Sequence, residues 1–89
     1  MIVVKRDGRE QEFTQRKIST SILNASDEIG QSMNRGDIKN VGGAIEKTIS
    51  TKFDGRIHAA DLHMIVLKTL DEFGFAAVAK AYDGSHEKY

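Results

Sequence analysis

The hydrophobic period changes abruptly within the first 30 residues, and this change restricts the chain to folds that combine a small sheet with helices. Ile2-Val3-Val4 is a β-branched run typical of a strand, and Asp7-Gly8 is a strong hairpin signal because glycine accepts positive φ. Residues 9–13 then return as a second, mostly polar strand. Thr14 is a good N-cap, and apolar residues recur at helical spacing over about 15–29.

Three more helical segments and one short strand follow. Asp37 is expected to cap the second helix, the third spans about 60–73, the fourth spans 75 to about 82, and Arg56-Ile57-His58 is a candidate third strand. The order β-β-α-α-β-α-α predicts an α+β fold, a helical bundle with a small sheet over one end. The inward helix faces are expected to be Ile18, Ile22, Ala25 and Ile29, then Ile38, Val41, Ile45 and Ile49, then Leu62, Val66, Leu70 and Phe73.

Gly42-Gly43 interrupts the second helix. Each glycine destabilises a helix interior by about 1 kcal/mol relative to alanine. The pair therefore indicates either a close helix contact or a soft point in the helix.

The 89 residues suffice for a single domain over 1–89 with one modest core. No apolar run is long enough to span a membrane, and the apolar start is too short for a signal peptide, so a cytoplasmic location is expected. Because the chain has no cysteine, thiol catalysis and thiolate zinc sites are excluded. The three histidines are not spaced as metal ligands, and no metal site is predicted.

The charges balance overall, with 13 basic and 13 acidic residues, and this balance disfavours nucleic-acid binding. They are unevenly distributed, however. Residues 1–17 carry five basic and three acidic side chains, and the remainder has an acidic excess. A positive end on a neutral protein suits a small anion better than a long polyanion.

Lys17 is the most informative single position, because it falls in the first turn of the first predicted helix. A capping box would place Glu or Gln there, and a lysine is unfavourable by roughly 0.3–1 kcal/mol. A bound anion would reverse the sign of that contribution. The alternative is a lysine whose stem lies on the protein and whose head lies in water.

For the other candidate residues, each taken alone, a structural role is favoured over a role in binding. Lys5 and Arg6 end the first strand, where charge also prevents unwanted strand pairing. His63 lies at the margin of an apolar helix face, and Phe13 and Ile18 could flank an adenine ring or belong to the core. The chain has neither a Walker loop nor a G-x-G-x-x-G fingerprint, nor paired carboxylates for metal-assisted hydrolysis, so a bound nucleotide is not expected to be consumed.

The run from Val3 to Arg9, Val-Val-Lys-Arg-Asp-Gly-Arg, followed by Phe13, Lys17-Ile18 and Ile22-Leu23, strongly resembles the opening of the ATP-cone domain. The segments 60–63 and 78–82 are also similar to that family. The resemblance covers essentially the whole chain, and the tail is most similar to the N-terminal cone of anaerobic ribonucleotide reductases.

The resemblance implies a four-helix bundle capped by a three-stranded sheet. It also implies that the domain binds ATP or dATP, together with magnesium, without catalysing a reaction. The bound nucleotide would then act as an allosteric signal that regulates ribonucleotide reduction. A reductase subunit or a second copy of the chain is the implied partner. The implied nucleotide contacts are Val3 against the base, Phe13, Ile18 and Leu62 around it, and Lys5, Arg6, Lys17, His63 and Lys88 on the phosphates.

Two alternatives remain open. Cones also occur in a repressor of reductase genes, so the chain could be a fragment of a nucleotide-responsive transcriptional regulator, although that repressor adds a zinc finger and this chain has no cysteine. The other alternative is a degenerate cone that acts only in protein interactions. Gln11, Ala59 and the tail 83–85 depart from the family pattern and leave room for this second alternative.

Overall fold

The computed structural model describes residues 1–84, and its elements follow the predicted β-β-α-α-β-α-α order. Three strands and four helices form the predicted α+β fold. The bounds are β1 Ile2–Val4, β2 Glu10–Glu12, α1 Gln15–Glu28, α2 Arg35–Lys52, β3 Arg56–His58, α3 Ala59–Glu72 and α4 Ala76–Gly84.

The hairpin between β1 and β2 closes through a three-residue turn. The N–H of Lys5 donates to the carbonyl of Arg9 (2.7 Å), and the N–H of Gly8 donates to the carbonyl of Lys5 (2.9 Å). Gly8 has φ of 90°, a conformation that glycine adopts without strain. The predicted turn at Asp7-Gly8 is confirmed, and β2 is shorter than the predicted 9–13.

β1 is the central strand of the sheet, with the order β2-β1-β3. It pairs antiparallel with β2 and parallel with β3, in a register that places Val3 beside both Gln11 and Ile57. Val3 and Ile57 face the bundle and are buried. Because β1 and β3 are parallel, the residues that follow them emerge at the same edge of the sheet.

The helices pack around one core, with α1 and α3 each in contact with both α2 and α4. Most of the predicted inward residues are buried, which confirms the helical periods. No helix within residues 1–84 combines the length and apolarity needed to cross a bilayer. The largest fully buried side chains are Val3, Ile18, Ile22, Val41, Ile45, Ile49, Ile57, Leu62, Val66, Leu70, Val78 and Tyr82.

Three predictions at helix ends are wrong. Asn34, not Asp37, caps α2, and Asp37 occupies the third helical position of a complete capping box with Asn34. Ile29 and Phe73 were assigned to the inward faces, but they are the C-cap residues that directly follow the last residues of α1 and α3. Both side chains are more than 40% exposed, because a residue beyond the last helical turn no longer follows the helical period that points side chains to the core.

Gly42 lies in a close contact between α2 and the side chains of α1. A Cβ atom added there would lie 2.9 Å from the Gln15 amide and 3.1 Å from Ser19 Oγ. The Gln15 amide, oriented to satisfy both of its groups, donates to Glu46 Oε2 (2.7 Å) and accepts from the Gly43 N–H (3.1 Å). A Cβ on Gly43 would meet nothing within 4 Å. The close-contact interpretation therefore holds for Gly42 alone.

Alanine at these two neighbouring positions should have different effects on stability. Gly43→Ala is expected to raise the free energy of unfolding by about 0.5–1 kcal/mol, because it removes backbone freedom without a steric conflict. Gly42→Ala should be about 1–2 kcal/mol less stable than Gly43→Ala, since the new methyl displaces the Gln15 amide from its two hydrogen bonds. Urea denaturation of both variants measures the difference, and equal gains would refute the close contact.

Candidate functional site

A groove of about 920 Å³ lies at the sheet end of the bundle. Its walls are the hairpin tip, the junction between β3 and α3, and one ring from α4. The parallel pairing of β1 with β3 brings the first two walls together, because both follow the carboxyl end of a strand. The lining residues are Val4, Lys5, Arg6, Asp7, Gly8, Arg9, His58, Ala59, Ala60, His63, Met64 and Tyr82.

The hairpin wall has an excess of positive charge. Asp7 accepts hydrogen bonds from the Arg9 backbone N–H (3.1 Å) and from Arg9 Nε (2.7 Å), and these bonds lower the pKa of the Asp7 carboxyl group. The resulting ion pair balances the positive charge of Arg9. Neither Lys5 nor Arg6 forms an ion pair with any residue in 1–84. Two cations therefore remain available to an anion in the groove.

The opposite wall is the N-terminus of α3. His58 occupies the N-cap position, but its side chain does not cap the helix, and Ala59 and Ala60 line the groove without polar side chains. The first N–H groups of a helix lack intrahelical partners, and the helix dipole is positive at this end. Such an end attracts anions, and here it faces Lys5 and Arg6 across the groove.

His63 lies one turn further along α3, and contacts with α4 hold its ring in place. Nε2 is 2.7 Å from Asp83 Oδ1, and the ring stacks on Tyr82 with centroids 5.3 Å apart and an interplanar angle of 22°. Nδ1 is buried and has no hydrogen-bond partner within residues 1–84. The side chain is 18% exposed, so that Nε2 is the ring nitrogen a ligand could reach.

Lys17 occupies the first turn of α1, as predicted, and its N–H donates to the Thr14 hydroxyl at 3.3 Å. That turn contains no acidic residue. Partial burial and then the positive charge of Lys5 lower the pKa of Lys17. The repulsion between the Lys17 and Lys5 side chains would be relieved by an anion bound between them. Lys17 does not line the groove, but its charge adds to the positive potential there.

The apolar residues predicted to surround a base belong to the core or pack against it, and none of them lines the groove. Val3, Ile18 and Leu62 are 0% exposed, and the partly buried Phe13 packs against the core. Of the predicted phosphate contacts, Lys5, Arg6 and His63 line the groove together. Lys88 lies outside the described residues.

Sequence reasoning missed three residues that line the groove, the exposed Met64 and His58 and the buried Tyr82. The signal available for them was the short strand 56–58, which was predicted without its pairing. A parallel pairing with residues 2–4 would have placed the start of α3 beside the hairpin. Within residues 1–84, no group of three or more His, Asp or Glu side chains is placed to hold a metal ion.

Two curated proteins are similar to the chain. They are the transcriptional repressors NrdR of Corynebacterium glutamicum strain R and of strain ATCC 13032, each 26% identical over 93 residues that cover 98% of this chain. The chain spans 61% of the length of each repressor. The family model for the ATP cone domain matches residues 1–83. The match extends from the hairpin through α3 and nearly to the end of α4, and the chain therefore belongs to the ATP-cone domain family.

Proposed function

We propose that this chain binds ATP or dATP in the groove and uses the bound nucleotide as a regulatory signal for ribonucleotide reduction. The observation that supports this best is the convergence of Lys5, Arg6 and the α3 N-terminus on one groove, with no counter-charge for the two side chains within residues 1–84. A triphosphate supplies that counter-charge.

In this proposal the phosphates lie between the hairpin tip and α3. Lys5 and Arg6 contact them from one side, His63 Nε2 from the other, and Lys17 adds to the attraction. Magnesium accompanies the triphosphate as part of the ligand. The base has an apolar wall at Met64, which is 62% exposed and lines the groove. Contact of the base with Val3, Ile18 or Leu62 additionally requires a local rearrangement that uncovers them, since all three are fully buried.

The proposed role is regulation by binding rather than catalysis. Nucleotide binding can shift a conformational equilibrium only by the difference between its affinities for two states. A small domain reports such a shift through a surface offered to a partner. We propose a reductase subunit, or a second copy of the chain, as that partner.

The similarity to two transcriptional repressors favours a second candidate function, the nucleotide-sensing part of a transcriptional regulator. The balanced charge of the chain disfavours direct DNA contact by this segment. Salt-dependent DNA binding by the purified domain would support the second candidate. A degenerate cone that acts only in protein interactions would bind neither DNA nor nucleotide.

Thermal unfolding with nucleotides tests the proposal. With magnesium, ATP and dATP are expected to raise the melting temperature, and CTP is expected to raise it less. A ligand at 100 times its dissociation constant adds about 2.7 kcal/mol to the stability. Phosphate release, measured in the same samples, should remain at the level of buffer. The absence of any shift with either adenine nucleotide at millimolar concentration would refute the proposed function.

A further inference from the structure

We propose that Asp83 competes with the bound phosphate for His63, so that ligand binding releases the last turn of α4. This inference rests on the proposed nucleotide binding in the groove. It assigns to Asp83 two effects, a lower affinity for anions and a conformational response at the end of α4.

The competition follows from the hydrogen-bonding capacity of His63. Its Nδ1 is buried, and its Nε2 is 2.7 Å from Asp83 Oδ1. An N–H group makes one strong hydrogen bond at a time. Carboxylate and phosphate oxygens are both acceptors, so a phosphate oxygen can reach Nε2 only after the Asp83 carboxylate has left it.

Electrostatics act in the same direction. The Asp83 carboxylate is 60% exposed and lies at the margin of the groove through its contact with His63. A phosphate at Nε2 and a carboxylate beside it would be two negative charges within a few ångströms of each other. This repulsion therefore lowers the affinity of the groove for an anion, and it drives the Asp83 carboxylate away from an anion that has bound.

The position of Asp83 in α4 gives its release a structural consequence. Asp83 lies in the last described turn of α4, next to Gly84. Glycine is a weak helix former, so contacts with neighbouring elements matter for the order of this turn. The His63 contact ties the turn to α3. Its loss is expected to loosen the last turn, while Tyr82, which is 1% exposed, stays anchored in the core.

Binding to matched charge variants tests the competition. Asp83→Asn keeps the size of the side chain and removes its charge. Asp71→Asn makes the same change in α3 near the opposite end of the bundle. Calorimetric titrations with ATP–magnesium and with inorganic tripolyphosphate are expected to show about 3- to 10-fold tighter binding by Asp83→Asn than by the original chain, with Asp71→Asn unchanged.

Amide hydrogen exchange of the unsubstituted chain tests the release. ATP should slow exchange at the hairpin, residues 5–9, and speed it in the last turn of α4, residues 81–84. Unchanged or slower exchange in that turn would overturn the release.

The possible binding outcomes separate this inference from the proposed function. Binding by Asp83→Asn alone would support competition strong enough to close the site. Binding by the original chain with equal or weaker binding by Asp83→Asn would overturn the inference and leave the proposed function standing. No binding by any of the three chains would overturn both.

Discussion

Lys17→Ala is expected to weaken ATP binding by about 3- to 10-fold, the range given by the loss of one positive charge that lies near the phosphates without lining the groove. The unliganded domain should be as stable as before, or slightly more so. Lys17 lies at the positive end of α1 and near Lys5, and both interactions are unfavourable without an anion.

Lys68→Ala is the matched control for this substitution. Lys68 is an exposed lysine of α3 that does not line the groove. Its replacement should leave both affinity and stability within experimental error of the original chain. Calorimetry gives the affinities, and urea denaturation gives the free energies of unfolding. Normal binding by Lys17→Ala, or a loss of more than about 1 kcal/mol of stability, would show that Lys17 is structural.

Leu62→Ala and Met64→Ala should separate core from groove within a single helix. Leu62 is 0% exposed, and its truncation is expected to lower the free energy of unfolding by about 2–5 kcal/mol, a large fraction of the stability of a domain this small. Met64 is 62% exposed, and its truncation should change stability by less than about 0.5 kcal/mol.

The same two variants address where the base lies. Met64→Ala should weaken binding of ATP more than binding of tripolyphosphate, because only ATP has a base to contact the apolar wall. Equal losses for the two ligands would place the base elsewhere. For Leu62→Ala, comparison of affinities is meaningful only under conditions where circular dichroism shows a folded domain. A small loss of stability from Leu62→Ala would contradict the packing of α3 described above.

Local signals in the sequence were sufficient for the element order and for most of the core. The Asp7-Gly8 turn and the Thr14 cap depend on residues within four positions, and both were predicted correctly. The cap of α2 was misplaced by three residues because Asn34 and Asp37 are both good capping residues, and the capping box uses both. The exposure of Ile29 and Phe73 depends on where each helix ends, which periodicity alone does not determine.

The candidate site was harder to predict, because it depends on contacts between distant segments. Lys5 and Arg6 were identified from the motif, but their position opposite the α3 N-terminus depends on the pairing of residues 2–4 with 56–58. The contact between His63 and Asp83 spans 20 positions and requires α3 and α4 to pack together. No local propensity indicates either arrangement, since both are consequences of tertiary packing.

The central claim is that the groove between the hairpin and α3 is the nucleotide site. Titration of the ¹⁵N-labelled chain with ATP–magnesium, followed by backbone amide shifts, tests it most directly. The largest shifts are expected at residues 4–9 and 59–64 and around Lys17 and Tyr82, with little change at Gln31 or Gly74 at the opposite end of the bundle. Shifts concentrated at that opposite end, or no saturable shifts at millimolar ATP, would contradict the claim.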